Sequence, residues 1–165
     1  MRALSPSLQT LMLKRAHTVL EHGMSAVVDQ VVAAGLSERT RADSPLAVAM
    51  VRALVLATKP EGYAAACRAL AGASEPEYSR IKAETLVVAG APPSLSLSGP
   101  RAARELKTDT LHATGEYDVL SDAATSDHLC DEIPNARRVD LSGVGHWHAV
   151  EDPAGVARVL DEFLL

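Results

Sequence analysis

A strand–helix–strand–helix pattern in the second half of the chain most constrains the fold. Two short β-branched segments, TLVVAG at 85–90 and RRVDLSG at 137–143, have the composition of buried strands. The segment SDAATSDHLCDEI at 121–133 predicts a crossover helix between them, and Asp152-Pro153 predicts the start of a last helix. Because strands joined by a helix pair in parallel with a right-handed crossover, the pattern predicts a parallel sheet and an α/β fold.

The first 72 residues predict helices and no strand, because their apolar residues recur at helical spacing. Four helix starts are predicted: at Ser5-Pro6, near Met24, at Ser44-Pro45, and at a capping box formed by Thr58 and Glu61. We therefore expect two regions, a helical layer or cap over residues 1–75 and the sheet over residues 76–165.

A sequence echo interrupts the second region. RIKAETLVVAG at 80–90 is echoed by ELKTDTLHATG at 105–115, and a Pro/Ser-rich stretch, APPSLSLSGP, fills 91–100 between them. Either the two strand candidates compete for one position in the sheet, or the similarity is chance. We expect an insertion around residues 91–113, and the sequence leaves open which segment takes the inner strand position.

Composition and charge exclude several classes of protein. Hydrophobic residues make up 47% of the 165 positions and charged residues 22%, which favours a packed core over disorder. The net charge is −5, and no Lys/Arg cluster interleaves with aromatic residues, so nucleic acid is a poor candidate partner. The first 20 residues carry charges and lack a long apolar run, which predicts a cytoplasmic protein without a membrane partner. The two cysteines lack metal-ligand spacing between them, so we expect two reduced thiols.

Two acid–base candidates follow strand candidates. Asp118, in GEYDVLS, follows TLHATG, and His146, in GVGHWH, follows RRVDLSG. Catalytic groups gather at the carboxyl ends of parallel strands, and a carboxylate at one ring nitrogen fixes the tautomer of a histidine base. Taken singly, each is an ordinary turn or loop residue. Together, at successive strand ends, they predict an acid–base pair in the order Asp then His.

These segments resemble the final third of an α/β-hydrolase, in which an Asp loop and a Gly-x-Gly-His loop carry two members of a catalytic triad. The helical half resembles the cap of the branch that contains 3-oxoadipate enol-lactonases, through RAHTVLEHGMSAVVDQVVAAGLS at 15–37 and SPLAVAMVRALVLATKPEGYAAACRALAGA at 44–73. The resemblance implies a partial sheet of the α/β-hydrolase fold with an N-terminal helical cap, and hydrolysis of a small ester or lactone without a cofactor. It makes Asp118 the triad acid and His146 the triad base, with Trp147 and His148 lining or supporting the substrate pocket.

The nucleophile of this superfamily lies in Gly-x-Ser-x-Gly, at a turn between a strand and a helix. The 165 residues contain no such motif. Gly23-Met24-Ser25-Ala26-Val27 imitates it, but Val27 replaces the last glycine and Ser25 falls in a helical pattern. We therefore expect a partial or truncated member whose exposed sheet edge favours a homodimer or a covering partner.

Two alternatives come from other classes of protein. One is a catalytically inactive binding or regulatory module that keeps the cap and half of the sheet. The other is a metal-binding protein that uses His146 and His148, with His128 or Asp127, although their spacing matches no recognised metal motif.

Overall fold

The computed structural model describes residues 3–91, 109–114 and 123–165. Helices occupy the described chain up to Ala71, and the described strands all begin at Glu84 or later. The helices of the first part are α1 (Pro6–His22), α2 (Val28–Gly35), α3 (Glu38–Asp43), α4 (Pro45–Leu56) and α5 (Pro60–Ala71). The second part contains β1 (Glu84–Ala91), β2 (Asp109–Thr114), α6 (Ala123–Glu132), β3 (Ala136–Ser142), α7 (His148–Glu151) and α8 (Pro153–Leu164).

The helix starts agree with the predictions at Ser5-Pro6 and at Ser44-Pro45. The Ser5 hydroxyl accepts a hydrogen bond from the Leu8 N–H at 3.4 Å. Two short helices, α3 and α7, were not predicted. The N-cap of α3 is Ser37, whose hydroxyl accepts from the Thr40 N–H at 3.2 Å. This Ser-x-x-Thr spacing carries no apolar stripe of its own, which is why periodicity did not reveal it.

The capping box predicted from Thr58 and Glu61 is wrong. The hydroxyl of Thr58 donates to the Leu54 carbonyl at 3.0 Å, at the end of α4. The N-cap of α5 is Lys59, which makes no side-chain capping bond, and Pro60 occupies the first turn. A Ser or Thr hydroxyl can bond either to the backbone of the turn before it or to that of the turn after it, and the Thr58 hydroxyl bonds to the preceding helix.

A first core lies among the helices. α1 packs along α5, and buried residues of α1, α2, α4 and α5 belong to one continuous apolar cluster. Its fully buried members include Met12, Val19 and Leu36. Trp147 and Val150, which come from the far end of the sequence, pack against this cluster. The helical part is therefore joined to the segment that follows β3.

The three strands form a parallel sheet in the order β2–β1–β3. β1 pairs with β2 in the register Glu84↔Asp109, which is the register of the sequence echo. The two echoed segments do not compete for one position, because both are strands and lie side by side, with β1 in the inner position. Within the described residues β2 and β3 are the edge strands, and a partner that covers an edge remains a prediction.

Side chains of β1 alternate between two apolar layers. Leu86 and Val88 belong to a cluster with Phe163 of α8. Val87 points to the opposite layer and packs with Leu129 of α6. Burial on both faces explains why the sequence of β1 is continuously apolar rather than alternating.

The two thiols are free in the structure. Cys67 is buried in the helical core, and burial raises its pKa above the ordinary thiol value. Burial also raises the pKa of Cys130 to about 11, with a smaller opposing effect from the Arg138 charge. Both thiols are thus protonated near neutral pH and weakly nucleophilic.

Candidate functional site

The loop between β3 and α7 carries the predicted histidine. It leaves the carboxyl end of β3 and turns at Gly143, whose φ of 73° favours glycine. His146 is exposed, Trp147 is half-buried, and His148 begins α7 with 5% of its surface exposed. Neighbouring residues of one loop thus have very different access to solvent. We call residues 143–147 the histidine loop.

The histidine loop is attached to the turn between α2 and α3 by its backbone. The His146 N–H donates to the Gly35 carbonyl at 2.8 Å. The Glu151 carboxylate accepts from the Gly145 N–H at 2.8 Å and from the Ser37 N–H at 2.9 Å. One carboxylate therefore bridges the two segments through two charge-assisted hydrogen bonds.

Two glycines allow this close approach. A Cβ atom at Gly145 would lie 2.7 Å from the Gly35 carbonyl oxygen and 2.8 Å from the Ser37 nitrogen. A Cβ atom at Gly35 would lie 2.7 Å from Nε1 of Trp147. The spacing of Gly35, Gly145 and Glu151 thus fixes the backbone that presents His146.

His146 and Trp147 line a pocket together with the helical part. The pocket has a volume of about 250 Å³. Most of its wall is apolar, and α1 supplies one side of it. The remaining lining residues are Leu8, Leu11, Met12, Arg15, Val31, Ala34, Gly35 and Tyr63. A concave, largely apolar site with a few polar groups is the usual form of a small-molecule site.

The predicted pocket residues differ in their position. Trp147 lines the pocket, and its indole lies against Gly35. His148 is buried and lies outside the residues that line the pocket. Its predicted contribution is therefore confined to support from behind the loop. Substrate contact by Trp147 and the supporting role of His148 remain predictions.

The predicted acid Asp118 lies outside the described residues, so the Asp118–His146 pair remains a prediction. The described strands are nonetheless parallel, and β2 and β3 end at the same edge of the sheet. The histidine loop leaves the sheet at that edge. The edge is where the fold gathers loop residues from successive strands.

Ser25 lies in a short 3-10 helix, Met24–Ala26, directly after α1, and its side chain is exposed. No strand precedes it, because the residues before Gly23 are helical. A nucleophile elbow requires a strand-to-helix turn. The prediction that Ser25 belongs to a helix start therefore agrees with the structure.

Two features were not predicted from the sequence, the position of Arg15 in the pocket wall and the bridge made by Glu151. Arg15 follows Leu8, Leu11 and Met12 at helical spacing, so a charge on an apolar stripe was a visible signal. Glu151 gave no signal, because its partners are backbone N–H groups distant in sequence.

The described residues hold neither a cluster of potential metal ligands nor a helix that could span a membrane. No three His, Cys, Asp or Glu side chains come together there in a way that could hold a metal ion. In the same ranges no helix has the length and apolar composition that crossing a membrane requires.

The fold is similar to that of several solved hydrolases. A thermophilic esterase from Thermogutta terrifontis, with malate bound, matches with a TM-score of 0.77 and 21% identity, over 99% of this chain and 52% of that one. The enol-lactonase from Burkholderia xenovorans LB400 matches with a TM-score of 0.75 and 24% identity, over 99% of this chain and 52% of that one. A hydrolase from Pseudomonas aeruginosa PA01 matches with a TM-score of 0.73 and 21% identity, over 98% of this chain and 51% of that one.

The chain thus spans about half the length of these structures. No protein-family model and no curated protein matches the sequence. At these identities the likeness concerns the fold, and it agrees with the fold class predicted from the sequence. The chain therefore has the fold of about half of an α/β-hydrolase, with a helical cap and a parallel part of the sheet.

Proposed function

We propose that the complete protein to which these residues contribute hydrolyses a small ester or lactone, and that His146 is its general base. The observation that carries the proposal is the position of His146. It stands at the carboxyl end of β3, on a loop bonded to the α2–α3 turn, and it lines the pocket beside Trp147. Structural similarity to an esterase and an enol-lactonase supports the same reaction class.

In this proposal His146 takes the proton of a serine hydroxyl as that oxygen attacks the carbonyl carbon. The acyl-enzyme forms, the alcohol leaves with the proton from His146, and water then repeats the sequence to release the acid. Asp118 is the proposed acid that orients the imidazole and stabilises its protonated form. The Gly-x-Ser-x-Gly motif is absent from the 165 residues, so the serine is supplied from outside them.

The test is hydrolysis of p-nitrophenyl butyrate by the protein expressed from its full genomic reading frame, which we call the extended protein. The expected result is turnover, with a loss of about 10³-fold or more on His146→Ala substitution. The control variant is His17→Ala, an exposed histidine of α1 paired with Glu21 at 3.2 Å. Turnover of this control should stay within about twofold of the parent, because it lies outside the pocket.

The same assay separates the second candidate, an inactive binding module. That candidate is favoured by the absence of the serine motif alongside a formed pocket. No turnover by the extended protein would support it. Turnover that His146→Ala leaves unchanged would contradict the role of His146.

A further inference from the structure

The histidine loop lies between two apolar anchors. Val144 is 1% exposed and belongs to the cluster that joins α8 to the sheet. Trp147 packs against the apolar cluster of the helical part. His146 lies between these anchors, and the glycines on either side of Val144, Gly143 and Gly145, add backbone freedom to the segment. The position of His146 therefore depends on what fixes the backbone between the anchors.

Two links join that backbone to the turn between α2 and α3. The first is direct, from the His146 N–H to the Gly35 carbonyl at 2.8 Å. The second passes through the Glu151 carboxylate, which accepts from both Gly145 and Ser37. Only the second link depends on a side chain, so only this link can be removed by a substitution that leaves the backbone unchanged.

Glu151 acts on the backbone of the loop. Its Oε1 accepts from the Gly145 N–H, and its Oε2 accepts from the Ser37 N–H. Ser37 is 1% exposed, so solvent has little access to replace the carboxylate as an acceptor there. A buried N–H that loses its acceptor is costly, and bonds to a charged acceptor are stronger than neutral ones. The carboxylate thus holds together two segments that lie 114 positions apart in sequence.

We propose that Glu151 is a positioning residue, which holds the α2–α3 turn and the histidine loop in one fixed relation so that His146 stays aligned for proton transfer. Gly35, at the end of the same turn, lines the pocket together with His146 and Trp147. The bridge therefore fixes the base relative to the pocket wall. The inference deepens the proposed function and rests on it. Misplacement of a reacting group by about 1 Å can cost on the order of 10²-fold in rate.

Hydrogen exchange of the extended protein, measured by mass spectrometry of peptides, tests the structural part of the inference. The variants are Glu151→Gln, Glu151→Asp and the control Ile133→Val. Ile133 is 4% exposed in the separate cluster beneath α6, so its truncation lowers stability without touching the loop. Glu151→Gln should speed exchange of the peptide over 143–151 at least about tenfold, and that over 153–164 by less than about threefold. Ile133→Val should produce no such selective change.

The kinetics of p-nitrophenyl butyrate hydrolysis test the functional part. Glu151→Gln should lower kcat about 10–100-fold, because the base is misaligned in the transition state. KM should stay within about threefold, because α1 still supplies its apolar side of the pocket. Glu151→Asp keeps the charge on a shorter side chain and should give an intermediate kcat. Ile133→Val should keep kcat and KM within about twofold, which separates positioning from a general loss of stability.

An unchanged kcat in Glu151→Gln would overturn the inference, as would a change in KM alone or an equal fall of kcat in Ile133→Val. If Glu151→Gln does not fold, Glu151→Asp decides the question with the same two measurements. Turnover that is lost in His146→Ala but kept in Glu151→Gln would overturn the inference and leave the proposed function standing. No turnover by the parent would sink the proposed function, and selective exchange of the loop would still show that Glu151 fixes it.

Discussion

Replacing Glu151 with glutamine should loosen the histidine loop by a calculable amount. The carboxylate accepts from Gly145 at 2.8 Å and from Ser37 at 2.9 Å. A glutamine keeps one oxygen acceptor and places an NH2 group against the other N–H. One charge-assisted bond is therefore lost and the other becomes neutral, which predicts about 1.5–3 kcal/mol of destabilisation.

Urea unfolding, followed by circular dichroism, measures this loss, and thermal unfolding should show a decrease in Tm of roughly 3–12 °C. The matched control is Glu132→Gln, an exposed glutamate at the end of α6, which should change the free energy of unfolding by less than about 0.5 kcal/mol. Equal stability of the two variants would refute the reasoning, because it would mean that the Glu151 bridge contributes nothing to the fold.

Three further outcomes follow from packing and burial. Gly145→Ala should destabilise the protein by about 2 kcal/mol or more, because the new Cβ would lie 2.7 Å from a backbone oxygen. Gly62→Ala in α5 should stabilise the protein by about 0.4–1 kcal/mol, because a Cβ there has nothing within 4 Å. Urea unfolding of the two variants checks both values. Phe163→Ala should cost about 3–5 kcal/mol in the same assay, because this ring is 4% exposed between α8 and the sheet. Alkylation of Cys130 by iodoacetamide, followed by mass spectrometry, should be slow at pH 8 and rise about tenfold per pH unit up to its pKa of about 11; a plateau near pH 9 would contradict the raised pKa.

Periodicity and cap residues predicted the larger elements because those signals are local. Ser5-Pro6 and Asp152-Pro153 mark helix starts that the structure has, and the Asp152 carboxylate caps the Gly155 N–H at 2.9 Å. The continuous apolar run of β1 predicted a strand buried on both faces. Such features follow from residues within a few positions of each other.

Non-local contacts were beyond the same reasoning. The two echoed segments pair because β1 takes the inner position of the sheet, beside β2. Sequence similarity alone could not decide whether the segments compete for one position or pair with each other. The attachment of the histidine loop depends on Gly35 and Glu151, which are far apart in sequence. Likewise, Thr58 could cap the helix on either side, and only the packed structure decides between the two.

The site was predicted in part for the same reason. The position of His146 after a strand candidate pointed to that residue, and the family resemblance pointed to Trp147; both line the pocket. Arg15 was visible as a charge on an apolar stripe, but its position in a pocket wall depends on how α1, α5 and the histidine loop pack together. Asp118 stays a prediction from its position in GEYDVLS.

Labelling of the folded 165-residue chain with a fluorophosphonate, followed by intact mass measurement, tests the central claim most directly. The claim is that these residues supply the base of a hydrolase, His146, and not its nucleophile. It predicts no adduct on the chain by itself, in a sample whose circular dichroism shows the helices and strands described above. A single adduct mapped to Ser25, or to any other serine, would show an activated nucleophile within these residues and would contradict the account.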